Sequence, residues 1–154
     1  VSGSKPFLLV VDGVTDPGNL GAILRSAECA GITGVILPRH RSARVTPAVT
    51  KTAAGAIEHL RIATASGIPA ALGRLRESGI WIVGLDAGGS TPLYDLKIAD
   101  QPIALVLGSE GRGLSRLTRE RCDELVHIPL KGVLASLNVS TAAAIAAFEV
   151  SRHR

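Results

Sequence analysis

The sequence is poor in several residue types whose presence would mark particular classes of protein. Its 154 residues include only two cysteines, too few for a disulfide scaffold, and its four histidines stand at no spacing that would ligate a metal. No apolar run approaches the roughly 20 residues that cross a bilayer, and no cationic, apolar leader opens the chain. We therefore expect a cytoplasmic protein with no metal site and no membrane partner, in which Cys29 and Cys122 are buried free thiols.

The chain also lacks methionine and opens with VSGSKPF. We expect from this that it is a trimmed piece of a longer protein. Only four residues are aromatic, one Trp, one Tyr and two Phe, whereas 46% of all residues are hydrophobic, so Val, Ile, Leu and Ala must fill the core. Such an aliphatic core is typical of helices packed on a parallel sheet.

Acidic residues are missing from one basic stretch of the sequence. Residues 38–56 contain no Asp or Glu, and they hold four positive charges, as many as the net charge of +4. A concentrated basic segment attracts polyanions, of which phosphodiester backbones are the commonest. The segment therefore predicts a nucleic-acid-facing surface, and a solvated loop is the alternative. The charged residues are Arg39, Arg41, Arg44 and Lys51.

What the sequence does contain is a regular alternation of strand-like and helix-like segments. This alternation predicts βαβ units, and hence an α/β fold with a mostly parallel sheet and helices on both faces. Because ligands collect at the carboxyl ends of parallel strands, the loops that follow the strands are candidate sites. The predicted strands are 7–12, 34–37, 59–63, 80–86, 103–108 and 124–130, and the predicted helices are 19–30, 47–57, 69–78, 114–123 and 138–152.

The loop after the first strand leads into a helix through DPGNLGAILRSAECAG. Pro17 and Gly18 predict a turn, and Asn19 is the predicted helix N-cap. Arg25 has two possible roles. It is either a surface partner of Glu28, three residues later, or a fixed cation for a phosphate or a reacting oxygen at the mouth of a cleft.

The loop after the fifth strand, GSEGRG, carries a carboxylate, Glu110. Its glycine spacing matches neither a P-loop nor the dinucleotide fingerprint. A carboxylate would repel a pyrophosphate, which disfavours the rival hypothesis of an NAD- or nucleotide-dependent enzyme. S-adenosylmethionine suits the loop, because it has no phosphate and carries a sulfonium and an ammonium group. Alternatively, Glu110 holds a neighbouring side chain such as Arg25.

The last predicted strand runs into HIPLKGVLASLNVSTAAAIAAFEVSR. Ser136, Asn138 or Ser140 could cap the closing helix. That helix is rich in alanine, so another backbone can approach it closely, and we expect it to be buried on more than one side. It lies either in the middle of a monomer or against a second copy of the chain.

Together, three separated segments resemble the ordered motifs of the SpoU (TrmH) class of SPOUT RNA 2′-O-ribose methyltransferases. They are NLGAILRSAECAG, then ALVLGSEGRGL with CDELVHIPL, then SLNVSTAAAIAAFE, and the resemblance covers nearly the whole chain. PRHRSARVTPAVTKTAAGAIEHL and IWIVGLD further resemble the bacterial 23S rRNA guanosine 2′-O-methyltransferases of that class. The resemblance implies a C-terminal deep trefoil knot in the α/β fold, which periodicity alone would not propose.

The resemblance also implies that S-adenosylmethionine is the cofactor and that RNA is the substrate. In this family, backbone groups of the knotted loops hold the cofactor, and Arg25 would bind the substrate phosphate and the reacting oxygen. The residues implied around the reacting ribose are Asn19, Arg25, Glu110, Ser136 and Asn138. The residues implied to hold the cofactor are Gly84, Asp86, Leu107, Gly108, Ser109, Gly111, Ile128, Pro129, Leu130 and Leu137.

The family is homodimeric, with active sites lined by both chains, and its bacterial rRNA enzymes carry an N-terminal RNA-recognition domain. We therefore expect residues 1–6 to be a linker remnant and residues 7–154 to be the catalytic domain, without the recognition domain. Two alternative functions stay open. One is methylation of tRNA ribose by an enzyme of the same class, and the other is a non-catalytic RNA-binding module on the same fold.

Overall fold

The structure, a computed structural model, describes residues 4–40 and 44–154. In these residues a sheet of seven strands is flanked by five α-helices. The strands are β1 (Phe7–Val11), β2 (Gly34–Pro38), β3 (Arg61–Ala65), β4 (Trp81–Leu85), β5 (Thr91–Pro92), β6 (Ile103–Leu107) and β7 (Glu124–His127). The helices are α1 (Pro17–Cys29), α2 (Pro47–Ala53), α3 (Ile68–Glu77), α4 (Arg116–Glu120) and α5 (Val139–Ser151).

The strands lie in the order β3-β2-β1-β6-β4-β7-β5, and every neighbouring pair is parallel. The parallel sheet that the alternation predicts is therefore confirmed. In this order β6, β4 and β7 are adjacent, so their carboxyl ends lie side by side at one edge of the sheet. The trefoil knot stays a prediction from the resemblance.

Helices cover both faces of the sheet, as predicted. One core layer joins β1, β6 and their neighbours to α1, α2 and α5, and the opposite layer joins the same strands to α3 and to the residues around α4. Along β1, Leu9 and Val11 belong to the first layer and Val10 to the second. All five residues of β6 are buried, because a strand covered on both faces needs a continuous apolar run.

The first predicted helix begins two residues earlier than expected, and the N-cap prediction for Asn19 is wrong. Asp16 caps α1, since its Oδ2 accepts a 3.0 Å hydrogen bond from the backbone N–H of Asn19. Pro17 then occupies the first helical position, which suits its fixed φ and missing N–H. Asn19 thus lies inside the first turn, where its side chain is available for another contact.

Other boundaries differ where backbone conformation overrides composition. Helix α2 ends at Ala53, not at residue 57, because Ala54 and Gly55 both adopt left-handed conformations, with φ of 53° and 85°. A 3₁₀ turn at Ala56–His59 delays β3 to Arg61. The helix predicted at 114–123 is the short α4, and β7 ends at residue 127 instead of 130. The two-residue β5 is too short to give a period and was not predicted.

Both cysteines are free thiols, as expected, but the prediction that both are buried is wrong. Cys29 is exposed at the end of α1, and Cys122 is partly buried after α4. Among the helices that the structure describes, none is long and apolar enough to cross a membrane.

Candidate active site

A cavity of about 640 Å³ opens at the carboxyl ends of β4, β6 and β7. Parallel α/β proteins bind ligands at this edge of the sheet, and the volume is in the range of small-molecule sites. The wall consists of residues 85–87, 107–114, 127, 128, 130 and 135–139, with Asn19, Arg119 and Ala142. Three loops that are far apart in sequence therefore share one site.

The GSEGRG loop after β6 closes on itself as a tight hairpin. The backbone N–H of Ser109 donates to the carbonyl of Gly113 (3.1 Å), and that of Gly113 donates to the carbonyl of Ser109 (3.0 Å). A Cβ atom on Gly108 would lie 2.1 Å from the carbonyl carbon of Gly113, so these two backbone segments can meet only because residue 108 is glycine. The loop is a fixed backbone unit on which Glu110 and Arg112 are exposed.

Glu110 faces the first turn of α1. Its Oε1 accepts a 3.4 Å hydrogen bond from the backbone N–H of Asp16, the residue that caps this helix. The amino end of a helix carries partial positive charge, which stabilises a carboxylate there. Glu110 therefore holds the α1 turn, and the contact between Glu110 and Arg25 that the sequence offered as an alternative is not made among the described residues.

Two asparagines connect α1 and α5 across the cavity. Nδ2 of Asn138 donates a 3.1 Å hydrogen bond to Oδ1 of Asn19. Oδ1 of Asn138 accepts from the backbone N–H groups of Ser140 (2.9 Å) and Thr141 (3.3 Å) and from the Ser140 hydroxyl, so Asn138 is the N-cap of α5. Of the three caps that the sequence left open, the structure selects Asn138.

Comparison with known proteins identifies the family. Residues 6–148 match the SpoU rRNA Methylase family. The chain belongs to this family. It is 50% identical over 153 residues to the 23S rRNA (guanosine-2′-O-)-methyltransferase RlmB of Yersinia pestis. The alignment covers 99% of this chain but only 62% of that relative, so the chain spans less than two thirds of the relative's length.

Solved structures of SpoU and TrmH proteins share the fold. A Porphyromonas gingivalis protein assigned to the TrmH family of RNA methyltransferases superposes with a TM-score of 0.89 at 35% identity, over 98% of this chain and 61% of that one. The SpoU methyltransferase AviRb of Streptomyces viridochromogenes, solved in complex with AdoMet, superposes with a TM-score of 0.87 at 31% identity, over 99% and 59%. These comparisons confirm the resemblance to the SpoU class.

The structure brings most of the predicted site residues of this SpoU domain to the cavity. Gly84 and Pro129 do not line it. Gly84 is buried within β4 with its Cα against Leu114, Cys122 and Leu125, and Pro129 is exposed. The predicted residues that do line it are Asn19, Asp86, Leu107, Gly108, Ser109, Glu110, Gly111, Ile128, Leu130, Ser136, Leu137 and Asn138.

Arg25 does not line the cavity. It follows Asn19 by six residues, so it lies about 9 Å further along α1 and about 120° around the helix. It is exposed, and in the described part of the chain it forms neither the surface ion pair with Glu28 nor any other ion pair or side-chain hydrogen bond. Arg25 instead shares one side of α1 with exposed Gly18 and Cys29 and with half-buried Ala22.

Sequence reasoning missed a histidine that shapes the cavity wall. Nδ1 of His127 lies 2.7 Å from the carbonyl oxygen of Gly89. Because a carbonyl can only accept, Nδ1 must carry a proton and donate it in this hydrogen bond. His127 thereby fixes the turn after β4. Two further hydrogen bonds hold the same turn, from Gly88 N–H to Oδ1 of Asp86 (2.8 Å) and from Gly89 N–H to the carbonyl of Asp86 (2.9 Å). No spacing rule marks a lone histidine for this role.

The basic segment begins with Arg39 at the same sheet edge as the cavity, and its described residues do not line the cavity wall. Arg39 directly follows the carboxyl end of β2, and Lys51 lies on α2, which packs against α1. Arg39, Arg44 and Lys51 are exposed, whereas Arg41 lies outside the described residues. In the ranges that the structure covers, no group of three His, Cys, Asp or Glu residues could hold a metal ion.

Proposed function

We propose that this chain is the catalytic domain of an S-adenosylmethionine-dependent enzyme that methylates the 2′-hydroxyl of a ribose in RNA, with a guanosine of 23S rRNA as the target. The observation that carries the proposal is the cavity at the carboxyl ends of β4, β6 and β7, whose wall holds two carboxylates, Asp86 and Glu110, that can face a sulfonium and an ammonium group, and two arginines, Arg112 and Arg119, that can face the RNA. The AdoMet complex of AviRb and the activity in the RlmB name support the proposal.

The residues of the cavity fit S-adenosylmethionine. The amino end of α1, a common phosphate site, is already occupied by the side chains of Asp16 and Glu110. The backbone of the GSEGRG hairpin and of residues 128, 130 and 137 would hold the cofactor, as predicted from the motifs. Bound there, S-adenosylmethionine supplies a methyl group on a sulfonium. The protein must then align the ribose oxygen with that group and exclude water.

We assign the alignment of the ribose to the Asn19–Asn138 pair and the stabilisation of its developing alkoxide to Arg25. A guanidinium stays protonated, so Arg25 acts as a fixed cation beside the oxygen and the neighbouring phosphate. Because Arg25 does not reach the cavity of its own protomer, we propose that it completes the site of a second protomer.

Exposed apolar side chains support such a homodimer. Phe148 on α5 is 49% exposed, and Val133 and Leu134 in the loop before α5 are 102% and 81% exposed. Within one protomer, α5 is buried along the side that carries Ala143, Ala146, Ala147 and Val150 only. A second copy would bury the rest of this helix together with the side of α1 that carries Arg25.

Calorimetry with S-adenosylmethionine and methyl transfer from that cofactor to 23S rRNA and to tRNA test the function. The parent chain should bind the cofactor and methylate 23S rRNA. Arg25→Ala should keep the cofactor affinity and lose single-turnover transfer by about 10²-fold or more, because a fixed positive charge is removed from the transition state. Absence of binding heat would contradict the function, whereas an unchanged transfer rate would contradict only the role of Arg25.

Mixed dimers test whether Arg25 acts across the interface. Asn138→Ser keeps a good helix N-cap but removes the amide that reaches Asn19, so it should inactivate its own cavity. Equal mixing of the Arg25→Ala and Asn138→Ser chains should restore about a quarter of the parent activity, because half of the dimers then hold one intact site. Activity no higher than that of the separate variants would place Arg25 in its own protomer or leave the chain monomeric, and light scattering separates these outcomes.

We further propose that an RNA-recognition domain precedes residues 1–6 in the whole protein, and that the protein acts in the cytoplasm, where its rRNA substrate is made. Preferred methylation of tRNA in the transfer assay would favour the tRNA enzyme of the same class.

A further inference from the structure

Some of the arginines that the structure describes form an ion pair or a side-chain hydrogen bond within the protein, and others form neither. Arg112 and Arg119 line the cavity and are exposed, yet neither has an ion pair or a side-chain hydrogen bond to any described residue. Guanidinium groups without a protein partner beside a ligand site are available to bind an anion. The arginines that do form an ion pair or a side-chain hydrogen bond are Arg76, Arg116, Arg121, Arg152 and Arg154.

The backbone on which these two cations stand is firmly held. Arg112 belongs to the GSEGRG hairpin, closed by the two hydrogen bonds between Ser109 and Gly113. Arg119 follows Thr118 on α4, and Thr118 is fully buried. The Thr118 hydroxyl donates to Oδ2 of Asp12 at the end of β1 (3.2 Å) and accepts from the Ser115 hydroxyl (3.0 Å). A fixed backbone leaves only the two side chains to be ordered when a ligand binds.

None of the nearby carboxylates that the structure describes forms an ion pair with Arg112 or Arg119. Glu110 accepts the backbone N–H of Asp16, and Asp86 accepts that of Gly88. Glu120 lies 3.9 Å from Arg116 instead of pairing with Arg119. An anion that approaches the rim of the cavity therefore meets two free guanidinium groups.

We propose that Arg112 and Arg119 bind backbone phosphates of the RNA strand that enters the cavity, in addition to the phosphate beside Arg25. This inference rests on the proposed function, because a ribose placed at the cavity carries its flanking phosphates over the rim. Guanidinium groups match phosphate oxygens in a bidentate geometry, and such contacts set the register of a nucleic acid without reading its bases. The two arginines form a second RNA contact, separate from the basic segment at residues 38–56.

Salt-dependent binding to 23S rRNA transcribed in vitro tests the proposal, with Arg112→Gln, Arg119→Gln and the double variant. Each lost phosphate contact should make the slope of log K against log salt shallower by about 0.7 on unpaired RNA, hence about 1.4 for the double variant. Affinity for S-adenosylmethionine, measured by calorimetry, should not change. Arg61→Gln is the matched control, because exposed Arg61 starts β3 at the opposite end of the strands.

Three outcomes would overturn the inference. In the first, the double variant has the same salt slope as the parent chain. In the second, the parent chain does not bind the RNA. In the third, the arginine variants lose affinity for S-adenosylmethionine but still bind RNA as the parent does. The last would assign the two arginines to the cofactor carboxylate. Failure of the proposed function looks different, because the parent itself would then bind no S-adenosylmethionine and transfer no methyl group.

Discussion

Asn138 shows how one side chain connects secondary structure to the site. Its amide oxygen caps α5, and its amide nitrogen reaches Asn19 on α1. An aspartate would cap the helix but could not donate, and a serine would cap it but could not reach. Asparagine therefore combines a donor and an acceptor at the length that closes this edge of the cavity.

Cys122 illustrates how burial controls reactivity at the residue scale. Burial raises the pKa of the Cys122 thiol to about 11, and the carboxylates of Asp123 and Asp86 add to the rise. In a Cys29→Ser chain at pH 8, only about a thousandth of the remaining thiol should be ionised, so a disulfide reagent should react slowly. The rate should then increase about tenfold per pH unit until about pH 11.

The same pKa predicts a loss of stability in alkali. The folded pKa lies above the ordinary value of 9.0, so the unfolded thiol ionises first. The resulting contribution to the free energy of unfolding is complete below pH 9 and is lost as the pH rises to about 11. For the reaction of Cys122 with the disulfide reagent, the urea-unfolded chain is the control. A fast reaction of the folded Cys29→Ser chain at pH 8 would contradict the raised pKa of Cys122.

At the scale of elements, β6 and the hairpin after it act as one unit. The buried strand delivers Gly108 directly into the hairpin, where its Cα approaches the backbone of Gly113. Glycine-rich composition predicted a turn here. The physical requirement at Gly108 is the close approach of two backbone segments, since its φ is not left-handed.

Gly108→Ala should open the hairpin, because the added Cβ would meet the Gly113 carbonyl carbon at 2.1 Å. We expect a loss of about 2–4 kcal/mol in the free energy of unfolding and a weaker affinity for S-adenosylmethionine. Urea denaturation followed by circular dichroism, and calorimetry, measure the two effects. Gly132→Ala is the control, because a Cβ there meets nothing within 4 Å. Equal effects of the two substitutions would refute the steric explanation.

At the scale of the whole molecule, Arg154 joins both ends of the described chain to the sheet. Its guanidinium donates to the carbonyls of Ala99 (2.9 Å) and Gln101 (2.7 Å), and to those of Lys5 and Pro6 (2.6 and 3.2 Å). It also lies 5.0 Å above the ring of Phe7. The last residue thus anchors the segment that leads into the central strand β1.

Arg154→Ala should lower the free energy of unfolding by about 2 kcal/mol, because several charge-assisted hydrogen bonds are lost together. Arg152→Ala is the matched control, since that side chain is 65% exposed and its ion pair with Glu149 should contribute less than about 1 kcal/mol. Urea denaturation compares the two variants. A larger loss for Arg152→Ala would contradict the anchoring role of Arg154.

Sequence by itself determined the parallel α/β class, the approximate elements and the loops that form the site. Apolar periodicity is a local property, and it survives in β1 and β6 because each strand is covered by its neighbours as its pattern requires. The three motifs pointed to most residues of the cavity wall. Local rules failed where two caps compete within four residues, as for Asp16 and Asn19, and where a strand has only two residues, as in β5.

Only the tertiary structure decided which of those residues meet. Asn19 and Asn138 are 119 positions apart and share a hydrogen bond, while Arg25, six residues from Asn19, lies outside the cavity. Likewise, His127, Arg112 and Arg119 join the site only because β4, β6 and β7 are neighbours in the sheet. The physical reason is that periodicity and capping act over one or two turns of chain, whereas strand order brings distant segments to a common edge.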